Sequence, residues 1–220
     1  MIEISTSILT VDEKDAVKTF YDLEVAKTDY YHIDVMDGKF VEKDTSVIMY
    51  SYASTIKQIS NIPLDVHLMV NNVKEYIDEY IALNPHFITI HYESCKDKKE
   101  VREILDYITN NNVKCGLSIK PNTRIEEIYE FLPYISLVLI MTVEPGKGGQ
   151  KLIPETLKKI SKLKEYLYQN NLEAYIEADG GIKLENADLL KEAGTDILVV
   201  GSGIINSDDY KKTIKEFKKE

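Results

Sequence analysis

The segment Leu137-Val-Leu-Ile-Met141 is a run of five apolar residues, and Ile197-Leu-Val-Val200 repeats the pattern near the end of the chain. A strand with one face in water alternates apolar and polar residues, whereas a parallel strand covered on both faces does not. The two runs therefore predict central strands of a parallel sheet.

Short β-type runs alternate with longer amphipathic segments along the rest of the chain. Val101, Ile104, Leu105 and Ile108 recur at helical spacing and predict one of the helices that follow the strands. The predicted strands cover residues 2–9, 30–35, 64–68, 87–91, 114–119, 137–142, 174–178 and 197–200.

Two signals mark the ends of predicted helices. Thr123 followed by Glu126 predicts a capping box at the start of the helix between the fifth and sixth strands. Gly194 predicts the end of the helix before the last strand. Eight strand–helix repeats in 220 residues favour a closed barrel over an open doubly wound sheet. We therefore predict an α/β fold with one (β/α)8 TIM barrel domain over residues 1–220.

Composition excludes some classes of partner. The formal net charge of −10 argues against nucleic acid or an anionic membrane surface, because both need a basic face. A small phosphate can still be bound by backbone N–H groups. With only Cys95 and Cys115, and no signal peptide or transmembrane-length run, the sequence predicts a cytoplasmic protein. A homo-oligomer is left open, because no residue pattern identifies an interface.

Polar residues fall where a barrel places its reactive groups, at the C-terminal ends of the strands. His32 and Asp34 stand at i and i+2 near the end of the second predicted strand, so their side chains point to the same side. His67 lies at the end of the third predicted strand and Asp179 directly after the seventh. Two histidines and two carboxylates at one rim predict a site for Zn²⁺, Mn²⁺ or Fe²⁺.

The other two histidines differ in position. His91 ends the fourth predicted strand at the same rim, which leaves open a supporting role beside the metal ligands. His86 follows Pro85 at the start of that strand, on the opposite side of the barrel, where we expect a structural role.

Three glycine-rich segments follow the last three predicted strands: Gly146-Lys-Gly-Gly149, Gly180-Gly181 and Gly201-Ser-Gly203. Glycine lets the backbone approach an anion closely and present N–H groups to it. Phosphate sites in this fold are frequently built by the loops after strands seven and eight. We therefore predict a phosphate-binding site at this rim.

Motifs along the whole chain, in the same order, resemble those of the ribulose-phosphate 3-epimerase family. The opening Ser5-Thr-Ser-Ile-Leu9 and closing Val200-Gly-Ser202 segments resemble the family's first and last strands. The most specific motifs are His32-Ile-Asp-Val-Met-Asp-Gly38, Leu64-Asp-Val-His-Leu-Met69, Met141-Thr-Val-Glu-Pro-Gly146, Gly148-Gly-Gln150 and Asp179-Gly-Gly181.

The resemblance implies an isomerase that interconverts D-ribulose 5-phosphate and D-xylulose 5-phosphate. It implies one divalent metal ion, commonly zinc, held by His32, Asp34, His67 and Asp179, and no organic cofactor. Asp34 and Asp179 would also be the acid/base pair. The substrate and its phosphate would be contacted by Ser7, His67, Gly146, Lys147, Gly148, Gly149, Gly180, Gly181, Gly201 and Ser202.

The implied reaction is consistent with these residue types. Epimerisation beside a ketone needs removal of the C3 proton and its return on the opposite face, hence two acid/base groups. A metal would polarise the ketone oxygen and stabilise the enediolate.

The sequence departs from the family pattern in two loops. Lys147 stands where the family usually has an aromatic residue, and Lys39-Phe-Val-Glu-Lys43 replaces the usual His-Phe-Val-Pro-Asn. The segment 44–50 also lacks the family's usual glycine. These changes leave loop closure over the substrate and sugar-length selectivity open.

Three alternatives were weighed against this interpretation. An epimerase of a longer ketose such as D-allulose 6-phosphate would use the same chemistry, although Asp179-Gly-Gly181 slightly favours the pentulose. A phosphate-binding barrel decarboxylase is discounted, because Asp34-Val-Met-Asp37 has no lysine between its aspartates. A non-catalytic sugar-phosphate-binding regulatory barrel is the third alternative.

Overall fold

Eight parallel strands close into a barrel in chain order, so that the first strand pairs with both the second and the eighth. The computed structural model describes residues 2–219. The prediction of a (β/α)8 TIM barrel is confirmed, and the predicted strand ends agree with the observed ones within two residues. The strands are β1 Glu3–Ser7, β2 Tyr30–Met36, β3 Leu64–Met69, β4 Phe87–His91, β5 Lys114–Ile119, β6 Leu137–Met141, β7 Tyr175–Asp179 and β8 Ile197–Val200.

Helices cover the outside of the barrel. Gly194 ends one of them in a left-handed conformation with φ 110°, as its position predicts. No helix within residues 2–219 is long and apolar enough to span a membrane. The α-helices are α1 Ala16–Ala26, α2 Ser46–Ile59, α3 Val73–Ile81, α4 Lys98–Asn110, α5 Glu155–Gln169, α6 Leu184–Ala193, α7 Ser202–Ile205 and α8 Tyr210–Lys218.

The connection between β5 and β6 differs from the prediction. It is a 3-10 helix over Ile125–Tyr134 that contains Pro133, which has no N–H to donate. The predicted capping box is wrong, because the Thr123 hydroxyl donates to the carboxylate of Glu93 instead of capping this helix. A charged acceptor forms a stronger hydrogen bond than a neutral one, and here it lies 30 residues away in sequence.

The strands divide the interior into two environments. Ile33 and Val35 of β2 belong to the large apolar core that the barrel shares with its helices. The alternate positions, His32 and Asp34, face other polar side chains from neighbouring strands. A smaller apolar cluster runs from the start of the strands to the rim beside Asp179 and consists of Tyr30, Phe87, Leu137, Leu139, Met141, Val143 and Ile197.

Candidate active site

Strand register brings the predicted metal-site residues to one place. Asp34 pairs with His67 across β2 and β3, and Met141 pairs with Asp179 across β6 and β7. One ligand atom from each of His32, Asp34, His67 and Asp179 lies within 4.8 Å of the others. The chain therefore has a cluster of two histidines and two aspartates at the C-terminal end of the barrel.

The donor atoms of this cluster converge on Asp34. Its Oδ1 lies 3.3 Å from His32 Nε2 and 3.4 Å from His67 Nδ1. Asp179 Oδ2 lies 3.8 Å from the same His67 nitrogen. Both of these histidine nitrogens are buried without a hydrogen-bond partner within residues 2–219. Buried, unpaired nitrogen atoms beside two carboxylates fit a divalent cation that accepts mixed nitrogen and oxygen ligands.

The pKa values of the two aspartates are displaced in opposite directions. Burial opposes ionisation of Asp34, but the adjacent His32 holds the pKa of Asp34 well below its usual range. Burial raises the pKa of Asp179 to about 7, and the charge of Asp34 adds to this effect. Two carboxyl groups with separated pKa values are suited to opposite roles in proton transfer.

A second polar layer lies beneath the cluster. Asp65 Oδ2 lies 2.6 Å from His32 Nδ1 and accepts a hydrogen bond from Ser5 Oγ at 2.7 Å. Burial opposes a charge on His32, but Asp65 and Asp34 raise its pKa well above the ordinary value. Glu177 is also fully buried, within 4.8 Å of the Asp65 and His32 ligand atoms. Burial, with the charge of Asp65, raises the pKa of Glu177 well above its usual range.

The sequence interpretation did not single out Asp65 or Glu177. A signal was present, because Asp65 stands two residues before His67 and Glu177 two before Asp179. On a strand this spacing places both members of a pair on one face. An acidic residue within an otherwise buried strand, in phase with a predicted ligand, indicates a partner of the site.

His91 also contacts the cluster, although its role was left open from the sequence. His91 Nε2 lies 2.9 Å from His67 Nε2, and its Nδ1 lies 3.1 Å from Glu93 Oε2. Burial lowers the pKa of His91 to about 4. His86 lies elsewhere, with Nε2 3.1 Å from Lys114 Nζ at the start of β5.

The loops after β6, β7 and β8 line one cavity above the cluster, as the glycine pattern predicts. Ser7 also lines this cavity, and its hydroxyl donates to Asp34 Oδ2 at 2.7 Å. His67, also a predicted substrate contact, is fully buried and is not among the residues that line the cavity. The predicted substrate-contact residues that line the cavity are Ser7, Gly146, Lys147, Gly148, Gly149, Gly180, Gly181, Gly201 and Ser202.

Gly181 shows why glycine is required at this rim. Its φ is +66°, and a β-carbon there would lie 2.4 Å from the backbone nitrogen of Leu152. The loops after β6 and β7 are therefore in direct backbone contact, which only glycine permits.

The two altered loops contact each other across the cavity mouth. Lys147 Nζ lies 3.7 Å from Glu42 Oε2, with both side chains exposed. A β-carbon on Gly146 would lie 2.8 Å from Val41 Cβ, so the loops also pack closely. The Phe40 ring lies 4.9 Å from the His91 ring and covers that side of the histidine cluster.

A closed (β/α)8 barrel with paired carboxylates and glycine-rich loops at its C-terminal rim defines the class of TIM-barrel enzymes that act at this rim. The sequence profile of the Ribulose-phosphate 3 epimerase family matches residues 3–205. The chain therefore belongs to the ribulose-phosphate 3-epimerase family, a family of isomerases, and this prediction is confirmed.

Curated relatives agree with this assignment, and a solved structure agrees with the fold. The chain is 37% identical to "Ribulose-phosphate 3-epimerase" of Methanocaldococcus jannaschii over 218 residues, covering 99% of this chain and 90% of the relative. It is 35% identical to the protein of the same name from Bacillus subtilis, covering 99% of each. The structure of 3-hexulose-6-phosphate synthase from Salmonella typhimurium superposes with a TM-score of 0.68 at 13% identity, covering 99% of this chain and 97% of that one. This last likeness concerns the fold alone.

Proposed function

We propose that this chain is a metal-dependent 3-epimerase that interconverts D-ribulose 5-phosphate and D-xylulose 5-phosphate. The observation that carries the proposal is the pair of Asp34 and Asp179, which lie within one cluster and have pKa values displaced in opposite directions. The names of the curated relatives support the choice of substrate.

The two aspartates would perform the proton transfers. An ionised Asp34 accepts the C3 proton from one face of the substrate, and a protonated Asp179 donates a proton to the opposite face. The reverse reaction starts from the opposite protonation state of the pair. The Ser7 hydroxyl, which donates to Asp34, favours the ionised form of that carboxyl and orients it.

His32, Asp34, His67 and Asp179 would hold the divalent metal, with zinc, manganese and iron all compatible with the donor set. When bound, the metal supplies Lewis-acid stabilisation of the negative charge that develops on the substrate oxygens.

The remaining cavity residues would bind and shield the substrate. Backbone N–H groups of the loops after β6, β7 and β8 would hold the phosphate, as glycine-rich loops do. Met36, Met69 and Met141 line the same cavity and exclude water from the reacting carbon.

The test is exchange of the C3 proton of ribulose 5-phosphate for deuterium in D2O, followed by NMR with and without a chelator. Wild type should exchange the proton and form xylulose 5-phosphate, and both should be lost with chelator. Asp179→Asn should not form xylulose 5-phosphate, because Asp34 alone exchanges the proton on one face only. Asp208→Asn, a surface substitution in the loop before α8, is the matched control and should behave as wild type. Exchange only with allulose 6-phosphate would replace the pentulose by the longer ketose, and no exchange with either would contradict the proposal.

A further inference from the structure

A chain of three side chains leads from the metal cluster to the loop after β4. Glu93 Oε2 lies 3.1 Å from His91 Nδ1, and His91 Nε2 lies 2.9 Å from His67 Nε2. Both histidines are fully buried, so water cannot replace these contacts. The contact between the two Nε2 atoms requires a proton on one nitrogen and a lone pair on the other.

The carboxylate end of the chain has a fixed orientation. Glu93 Oε1 accepts a hydrogen bond from the Lys120 backbone N–H at 2.8 Å and another from the Thr123 hydroxyl. The other oxygen, Oε2, therefore faces His91. Because a carboxylate only accepts hydrogen bonds, His91 must carry its proton on Nδ1.

The position of that proton determines the rest of the chain. A neutral His91 with a proton on Nδ1 has a lone pair on Nε2, so it accepts a hydrogen bond from His67 Nε2–H. The other nitrogen of His67, Nδ1, then has a free lone pair. This atom is the one that faces Asp34 and Asp179, and no group within residues 2–219 forms a hydrogen bond with it.

We propose that Glu93 and His91 are positioning residues that hold the proton of His67 on Nε2, so that Nδ1 is ready to bind the metal. The inference rests on the metal site of the proposed function and adds two residues to it. Neither residue touches the substrate cavity directly. Both act through His67, by selecting its tautomer and fixing its ring.

His32, the other histidine of the cluster, also has a carboxylate at its outer nitrogen, here with no histidine in between. His32 Nδ1 lies 2.6 Å from Asp65, which leaves its Nε2 to face Asp34. The two histidines thus present different ring nitrogens to the cluster, Nε2 from His32 and Nδ1 from His67. In each case a carboxylate lies at the outer end, Asp65 in direct contact with His32 and Glu93 in contact with His91.

The substitution Glu93→Gln tests this relay with almost no change in shape. Its amide oxygen should take the Oε1 position, where two donors already point, and its NH2 group should then face His91 Nδ1. An NH2 group donates, so the proton of His91 should move to Nε2 and that of His67 to Nδ1. The metal-binding nitrogen would then carry a proton. We expect the affinity for Mn²⁺ or Zn²⁺ to fall by about 10- to 100-fold.

The first measurement is the ¹⁵N–¹H correlation spectrum of chelator-treated protein labelled at histidine, which reports the tautomer of each ring. The chain has four histidines, so single substitutions suffice to assign them. Wild type should show His67 protonated on Nε2, and Glu93→Gln should show it protonated on Nδ1. Thr123→Val removes one donor to Oε1 and leaves the carboxylate in place, so this control should keep the wild-type tautomer.

Metal titration of the same three proteins is the second measurement. A wild-type His67 protonated on Nδ1, or a Glu93→Gln protein with the wild-type tautomer and affinity, would overturn the proposal. If Glu93→Gln does not fold, the wild-type spectrum still decides the tautomer. A correct tautomer together with no exchange of either ketose phosphate would contradict the proposed function and leave the relay standing.

Discussion

One carboxylate oxygen of Asp34 and one of Asp179 lie within 4.8 Å of each other, yet the two groups differ in their histidine contacts. Asp34 has two histidine nitrogens within 3.4 Å, whereas Asp179 has one at 3.8 Å. His32 therefore stabilises the first group as an anion, and the charge of the first group disfavours ionisation of the second. This asymmetry has consequences for metal binding that can be measured.

We expect the affinity of the protein for Zn²⁺ or Mn²⁺ to fall as the pH is lowered from about 8 to 6. The pKa of Asp179 is raised to about 7, so below that pH the carboxyl must lose a proton before it can bind a cation. His32, whose pKa is also raised, must lose its proton as well. Each proton released changes the affinity by up to about tenfold per pH unit.

Calorimetric titration of the metal in two buffers with different ionisation enthalpies measures the protons released. The Asp208→Asn variant should release as many as wild type, since this residue lies on the surface. An affinity independent of pH, with no proton release, would show that both ligands are already deprotonated in the apoprotein.

Replacing Gly181 by alanine should lower stability and weaken substrate binding, whereas the same replacement at Gly148 should not. A β-carbon at Gly181 would lie 2.4 Å from Leu152 N and 2.8 Å from Gln150 O, at a φ of +66°. Gly181→Ala should therefore displace the loop after β6, lower the free energy of unfolding by about 1–3 kcal/mol and raise KM for the phosphorylated substrate. Gly148 has no atom within 4 Å of the β-carbon position, so Gly148→Ala is the matched control.

Chemical denaturation and steady-state kinetics on both variants test this contrast. Equal unfolding midpoints for Gly181→Ala and Gly148→Ala would mean that the loop after β6 can move away from residue 181 without lowering the free energy of unfolding.

Local patterns predicted the barrel and brought its four candidate metal ligands to one rim. Apolar runs such as Leu137–Met141 identify strands buried on both faces, and the i, i+2 spacing of His32 and Asp34 places both on one side. Strand ends then meet at one rim because all eight strands are parallel. The identification of a buried strand and of the residues on one of its faces needs only information from within that strand.

What the sequence did not predict depends on contacts between distant segments. Thr123 has the spacing of a helix cap, but its hydroxyl binds Glu93, and only the packing of two loops brings these residues together. The pairing of His32 with Asp65 likewise depends on the register between β2 and β3. Such contacts are determined by the tertiary structure, and the periodicity of helices and strands carries no information about them.

Glu177 should tolerate replacement by its neutral analogue, and Asp65 should not. Burial raises the pKa of Glu177 well above its usual range and so favours the neutral acid, and forcing its ionisation opposes folding above its ordinary pKa. Glu177→Gln should therefore leave the free energy of unfolding at pH 7 unchanged or slightly higher. Burial opposes ionisation of Asp65, but His32 lowers its pKa, so Asp65 is ionised. The variant Asp65→Asn therefore removes one partner of a buried ion pair and leaves His32 without it.

Urea denaturation of the two apoproteins at pH 7 measures the difference, which we expect to be about 3 kcal/mol or more. Similar losses in both variants would show that Glu177 is ionised in the folded protein.

Lys147 and Glu42 should affect substrate binding in opposite directions and stability hardly at all. Their ion pair, at 3.7 Å with both side chains largely exposed, is screened by water, so neither Lys147→Ala nor Glu42→Ala should shift the unfolding midpoint. Lys147 lines the cavity with the glycine-rich loops, so its removal should raise KM for a sugar phosphate a few-fold. Removal of Glu42 frees the ammonium group from a competing anion and should lower KM.

Both effects on KM should become smaller as salt is raised, because exposed charges are screened. Steady-state kinetics at low and high ionic strength measures this, and identical KM values for the two variants would mean that Lys147 points into solvent in the complex.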